Sequence, residues 1–477
     1  MSLKKAAFRG LFWVGIEKVG LHLIQISVFI ILARLLVPED FGLIGMIMIL
    51  FSVSSTIMEG GVSQALIREK TIEQDDINTA FLFNVLFGII LYILLYVTAP
   101  YISHFYNDER LTLLVRIMGL SVLFQSFGLV FSASLVQKMN FKRELILILP
   151  AHLISGLTAI TMAYSGYGVI SIAMKFVILE LIKSFTLFYL SQQKIHLGFS
   201  KSSFKKLFSF GMHLTGSKLI SSMHSNLYKV LIGKFFSAST LGLYTQAQKI
   251  MRLLSSNILQ AIQKVTYPSL SKIKGNKVRL KSGYRKIIQL SMLLIMPLMA
   301  LLIVIADPLI PFLLGEQWAG AVPMLQIISV GGMVFYLILI YQNLLKVIGR
   351  TDIYLKLEII QKVNITIALA VGIWFNILIF ISLVVVSHFI TTFIYAYKVG
   401  KFVDYSISEQ IKDIADIFVV SLLVLGIIYY FKLIMMQYNL HSLVLLTILS
   451  ISVMSLFIAI GFIIKSPKIK LLKDTLL

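Results

Sequence analysis

The sequence predicts an all-α polytopic membrane protein with about 14 transmembrane helices, and three observations predict it. Of its 477 residues, 58% are hydrophobic and only 13% are charged, whereas soluble domains carry about 25% charged residues. The mean hydropathy is +0.91. Apolar runs recur along the whole chain at the ~20-residue length that crosses a bilayer. The links between them are too short to hold a soluble domain. In hydrocarbon no water pairs a backbone N–H or C=O, so each run must close its own hydrogen bonds as a helix. A water-soluble fold and a disordered chain are both excluded.

Taken in order, the expected spans fall at residues 10–35, 41–66, 80–101, 111–136, 145–167 and 169–191. A second set follows at 207–236, 241–268, 287–305, 322–347, 353–375 and 377–398, with two more at 416–431 and 442–464. The organisation expected from these is a six-helix lobe over 1–195, a second over 196–402, and two extra helices with a basic tail over 403–477. Lys4, Lys5 and Arg9 give the start the flavour of a signal peptide. Glu17, Lys18, His22 and Gln25 then interrupt the apolar stretch, and no small-residue cleavage site follows, so it reads as an uncleaved first helix. The splits near Gly166 and Asn376 rest on the turn-forming character of those residues.

Lys and Arg at alternate helix ends set the orientation. With the N-terminus in the cytoplasm, about 29 basic residues fall inside and about 4 outside (Arg34, Arg110, Lys234 and Lys432). The positive-inside rule accepts one orientation only, with both termini cytoplasmic. Most of the net charge of +22 is therefore orientation signal and attraction to anionic lipid headgroups. A nucleic-acid footprint would need a folded basic face on a soluble domain, and no link is long enough to form one.

The chain also resembles itself at an offset of about 200 residues. The stretch Arg34-Leu-Leu-Val-Pro-Glu-Asp-Phe-Gly42-Leu43 aligns with Lys234-Phe-Phe-Ser-Ala-Ser-Thr-Leu-Gly242-Leu243. Six spans separate the copies, an even number, so both enter the membrane in the same direction. That is a parallel repeat, which places a site between two lobes. Chance similarity of apolar segments is the competing explanation.

Intramembrane charges mark the candidate site, because an ionisable group in hydrocarbon needs a cavity or a partner. On the seventh span Thr215, Lys218, Ser222, Ser225 and Lys229 form one stripe at helical spacing. On the eighth, Thr245, Lys249, Arg252, Ser256, Gln260 and Lys264 do the same. No Asp or Glu stands between Glu180 and Asp307. Unless Glu17, Glu59 or Glu358 reaches across, such a cavity is electropositive and suits an anion, with arginine fitted to phosphate. The alternative for Lys218, Lys229, Arg252 and Lys264 is snorkelling to an interface. Lys18, His22, Gln25 and Arg116 extend the polar set into the first half, as do Lys175 and Glu180. Glu17 and His22 are the candidates for proton or sodium coupling. Glu358 and Lys362, spaced i,i+4, are expected to pair with each other.

Catalysis is not indicated. There is no cysteine, which excludes disulfides and thiolate metal sites. The histidines show no metal-ligand spacing, and no cofactor is implied. Gly211-x-x-x-x-Gly216-Ser217-Lys218 imitates a phosphate loop with its end transposed, but it lies inside a span.

The opening Gly10-Leu-Phe-Trp13, the hairpin Ala33-Arg-Leu-Leu-Val-Pro-Glu-Asp-Phe-Gly42, its echo Leu241-Gly-Leu-Tyr244, and Leu314-Gly-Glu-Gln-Trp318 resemble the polysaccharide transporter (Wzx-type flippase) family. That family belongs to the multidrug/oligosaccharidyl-lipid/polysaccharide exporter superfamily. The resemblance implies two six-helix lobes, alternating access, and flipping of undecaprenyl-pyrophosphate-linked oligosaccharides to the outer leaflet of a bacterial plasma membrane. It implies service in exopolysaccharide, capsule or lipopolysaccharide O-antigen assembly, with polysaccharide-assembly proteins as further partners. The competing expectations are a cation-coupled multidrug exporter of the same superfamily, a membrane polymerase or ligase, and a scaffold for such a complex.

Overall fold

A computed structural model describes residues 20–59, 63–68, 72–190, 195–196, 198–437 and 442–463. In chain order the helices are α1 (Gly20–Leu35), α2 (Pro38–Met58), α3 (Gln64–Arg68), α4 (Gln74–Tyr106), α5 (Arg110–Gln137), α6 (Phe141–Tyr164) and α7 (Val169–Leu190). Then come α8 (Lys201–Phe235), α9 (Ala238–Ile273), α10 (Lys277–Leu314), α11 (Ala321–Val347), α12 (Thr351–Gly372), α13 (Ile377–Gly400), α14 (Ile407–Met436) and α15 (Ser442–Ile463). Apart from the one at 41–66, each expected span lies, over its described residues and to within a few residues at its ends, on one helix. Among the described residues nine helices are long and apolar enough to cross a membrane. The remaining long ones are α1, α7, α8, α9 and α12, and the last four carry charges along their length, as with Lys175, Glu180 and Lys183 on α7. The chain is a multi-pass helical membrane protein.

Helix ends depart from expectation in one consistent way. α9, α10 and α14 begin earlier and end later than the apolar runs that announced them, because a helix continues through polar residues beyond the hydrocarbon where hydropathy falls silent. Of the span expected at 41–66, α2 runs to Met58 and α3 begins at Gln64, with Glu59 and Ser63 in π-helical turns between them and 60–62 outside the described residues. The two uncertain splits are real. Gly166 and Gly168 take positive φ values of 84° and 53° between α6 and α7, a backbone that glycine adopts without strain. Asn376 caps α13 by accepting from the Ile379 N–H. At the lysine-rich ends, Asn140, Ser200, Asn276 and Ser406 cap α6, α8, α10 and α14 in the same manner.

The chain gathers into two compact units, Met1–Gly242 and Leu243–Leu477. In the first, α5 packs against α4, α6 and α7, and α8 packs on α2, α3 and α4. Small residues bring backbones close: a Cβ on Gly128 would meet Ser184 Oγ at 2.7 Å, and one on Gly88 would meet Ser126 Cβ at 2.6 Å. Phe81, Phe131 and Phe188 tie α4, α5 and α7 together, with ring centroids 5.5–6.1 Å apart. The hairpin repeat has a geometric counterpart inside this unit. A Cβ on Gly42 would lie 1.7 Å from the Ala238 carbonyl oxygen, and one on Gly242 would lie 1.8 Å from that of Pro38. Residues 38 and 238, and 42 and 242, thus exchange roles across one contact, the signature of a local two-fold. Beside it Arg110 bridges Glu39 at 2.5 Å and Asp108 at 2.7 Å.

The second unit is built on α10 and α11, the most buried of the apolar spans. Trp318 and Tyr284 are fully enclosed there. α10 and α14 run parallel and are pinned at both ends. At the basic end Lys281 pairs with Glu409 at 2.9 Å, and Arg285 grips Asp413 with two bonds of 2.6 and 2.8 Å. Tyr405 also donates to Asp413 at 2.5 Å. At the other end the buried Lys432 pairs with Asp307 at 2.5 Å. A rise of ~1.5 Å per residue puts ~33 Å between Arg285 and Asp307, close to the ~30 Å hydrocarbon thickness.

Candidate functional site: the cationic faces of α8 and α9

On α8 the expected stripe is a polar seam. Ser222 Oγ lies 2.8 Å from Ser52 Oγ of α2. Asn226, buried one turn on, donates to Ser52 Oγ at 3.4 Å and to the Ser222 carbonyl at 2.9 Å. Lys229 then donates to Asn226 Oδ1 at 3.1 Å. Lys218 is exposed. Glu59 feels its charge along with those of Lys183 and Glu180, and accepts from Gln125 at 3.4 Å. Ser55 in turn donates to Gln125 Oε1 at 3.0 Å. Of the three glutamates that could offset the cations, Glu59 feels Lys218, Glu358 pairs with Lys362, and Glu17 lies outside the described residues.

The sequence reading missed Asn226 and the matching face of α2. Ser52, Ser55 and Glu59 recur at intervals of three and four, as do Ser222, Asn226 and Lys229. That spacing was the available signal, hidden on α2 by an apolar background in which Ser54 and Thr56 are interleaved with it.

α9 is cleanly two-faced. Tyr244, Ala247, Met251 and Ser255 are buried, while Lys249, Arg252 and Lys264 are exposed. Ser255 and Tyr336 of α11 share a short hydroxyl–hydroxyl bond, and Tyr336 donates to Met251 Sδ at 3.5 Å. This fixes the helix rotation that turns Arg252 outward. The side chains of Ser256 and Gln260 lie outside those described.

The other candidates separate. Arg116 sits over the Tyr96 ring at 4.3 Å, and its Nε is buried without a hydrogen-bond partner. His22 and Gln25 share an exposed face of α1; Lys18 and Glu17 lie outside the described residues. Glu180 pairs with Lys183 at 2.7 Å rather than with Lys175. Lys362 and Glu358 pair at 3.0 Å. The 211–218 stretch is continuous helix, so no phosphate loop forms. Among the described residues no His, Asp and Glu cluster is arranged to hold a metal ion.

On α8 and α10 the cations near the helix starts find carboxylates. Lys206, Lys281 and Arg285 near the ends reach Asp76, Glu409 and Asp413. Among the described residues no carboxylate comes within 4.0 Å of Lys218, Arg252 or Lys264.

The model of the family described as "Polysaccharide biosynthesis protein" matches residues 31–323, more than half of the chain. The chain belongs to this family. A relative within reach is the teichuronic acid biosynthesis protein TuaB of Bacillus subtilis (strain 168), 25% identical over 74% of this chain and 73% of that one. Another is the succinoglycan biosynthesis transport protein ExoT of Rhizobium meliloti (strain 1021), 23% identical over 77% of this chain and 74% of that one. Among solved structures, the lipid II flippase MurJ in an inward closed conformation aligns with a TM-score of 0.75 at 17% identity, covering 95% of this chain and 99% of that one. That likeness is one of fold, and it spans nearly the whole family member described here.

Proposed function

We propose that this chain is a flippase that carries a lipid-linked oligosaccharide with an anionic headgroup across a bacterial plasma membrane. It serves polysaccharide assembly, moving its substrate rather than making or breaking a bond in it. The single observation that carries the reading is the set of exposed cations, Lys218, Arg252 and Lys264, with no carboxylate in ion-pair reach among the described residues. A diphosphate supplies the missing charge, and arginine suits it by its planar fork of donors. Membership of a polysaccharide biosynthesis family, a relative named a transport protein and a fold like that of a lipid II flippase support it.

In this mechanism the termini and the lysine-rich links face the cytoplasm. Two six-helix lobes, 1–195 and 196–402, rock about the substrate while 403–477 adds two helices beside them. The headgroup meets Lys218, Lys229, Lys249, Arg252 and Lys264, with Lys18 and Arg116 as further contacts, and the lipid chain stays in the bilayer. Glu17 and His22 couple the cycle to a proton or sodium gradient. The test is reconstitution with purified lipid-linked oligosaccharides, scoring leaflet transfer with and without ion gradients. Arg252→Ala and Lys229→Ala, at normal membrane levels, are expected to lower transfer; full transfer by both would overturn the cation role. Transfer of drugs but not of lipid-linked sugars would favour the multidrug exporter instead.

A further inference from the structure

Resting on that flippase reading, we propose that an aromatic groove on the first unit binds the polyprenyl chain of the substrate in the leaflet where it is loaded. The groove, of about 440 Å³, is lined by Phe81 of α4, Phe124 and Phe127 of α5, and Leu181, Phe185 and Phe188 of α7. Its floor forms where Gly128 lets α5 approach Ser184 of α7, so the larger rings to either side stand up as walls. Those walls are preformed. Phe81 and Phe127 meet edge to face at 6.2 Å, Phe188 does so with the fully buried Phe131 at 5.5 Å, and Phe185 leans on Tyr189 at 4.4 Å. A rigid site spares a ligand the cost of ordering it.

Contact with bulk lipid does not require such a surface. On α4 and α6 the exposed residues midway along are aliphatic, Ile89, Ile90, Ile93 and Leu94 and then Leu153, Ile154 and Leu157, and the exposed rings Tyr96, Tyr101 and Tyr164 stand toward the opposite ends of those helices. In the groove, Phe185 is 59% exposed and Tyr189 63%, open sideways to the membrane. A polyprenyl chain, methyl-branched with a flat alkene in each unit, presents C–H edges to ring faces, which carry partial negative charge.

Depth and charge decide which lipid. Phe185 lies close to the α7 end and Phe81 close to the α4 start, ~7–10 Å from those helix ends at 1.5 Å per residue. The groove therefore occupies one leaflet of a ~30 Å core, the one the positive-inside count assigns to the cytoplasm. At its mouth Arg143 donates to the Leu190 carbonyl at 2.5 Å, holding a guanidinium next to Tyr189, with Lys142 exposed beside it. A chain lying in the groove brings its diphosphate to these cations.

The absence of cysteine makes the test direct. Leu181→Cys in the full chain takes a single environment-sensitive probe, and the exposed Leu94→Cys takes the same probe on the aliphatic face as a control. In phosphatidylcholine nanodiscs, undecaprenyl diphosphate is expected to shift the signal at 181 saturably and leave 94 unchanged, while equal phosphatidylglycerol shifts neither. No saturable response at 181, or an equal response to phosphatidylglycerol, overturns the proposal. Leu181→Trp, which fills the groove from an exposed position, is expected to weaken the apparent affinity for lipid-linked oligosaccharide in the transfer assay by roughly tenfold. Unchanged affinity in that variant would also overturn it. If the wild type transfers no such substrate, the flippase reading fails, and the probe at 181 still decides the groove.

Discussion

A methyl group added at Gly42 would lie 1.7 Å from a backbone carbonyl oxygen, and so would one at Gly242 at 1.8 Å. Backbone cannot swing aside as a side chain can, so overpacking here is expected to cost about 1–3 kcal/mol or more. Gly42→Ala and Gly242→Ala should each lower the thermal unfolding temperature in detergent, whereas Gly216→Ala, with nothing within 4 Å of its Cβ, should not. Both glycines were legible as the fixed points of the hairpin repeat; their mutual contact was not, since a repeat reports likeness and not adjacency. A second residue-scale effect is electrostatic. Arg110 beside Asp108 holds its carboxyl below the usual carboxylate range. The pair therefore contributes above that range, and the contribution is lost as pH falls through the lowered value. Arg110 is half exposed, so Asp108→Asn should cost no more than ~1 kcal/mol at neutral pH. The difference from wild type should close on acidification, read from melts between neutral pH and pH ~3.

The clamp between α10 and α14 belongs to the scale of elements. Lys432 is 3% exposed and its partner Asp307 is 39% exposed, so the lysine alone has been taken out of water. Asp307→Asn leaves a buried cation uncompensated and should destabilise by about 3–5 kcal/mol, whereas Lys432→Met replaces the charge with matched apolar volume and should be near neutral. Comparable losses in the two variants, measured as unfolding temperatures, would contradict this account. The helices themselves were readable because nothing else can span hydrocarbon. The clamps were not: Asp307 and Lys432 are 125 positions apart, and no local period links them. The stripe on α9 was visible for the opposite reason, since its buried and exposed residues alternate at 3.6 within one element.

For the whole molecule, the proposed orientation rests on charge placement and can be tested. Gly275→Cys, at a site with nothing within 4 Å, should react with an impermeant thiol reagent only in permeabilised cells. Tyr167→Cys, exposed in the link between α6 and α7, should react in intact ones. Reversed labelling would invert the topology. The cationic character of α8 and α9 was plain from the run without acids, while the role of Glu59 beside Lys218 was not, because it depends on how α2 and α8 pack. The two ion-pair clamps have a consequence for the cell as well. Set ~33 Å apart along α10, they act as a ruler for the membrane. Longer acyl tails would pull one clamp or the other into oil, and much shorter ones would leave apolar helix in water, each at fractions of a kcal/mol per Å. Turnover measured across a series of chain lengths should peak where the lipid matches the ruler, so the protein reads the thickness of the bilayer in which it works.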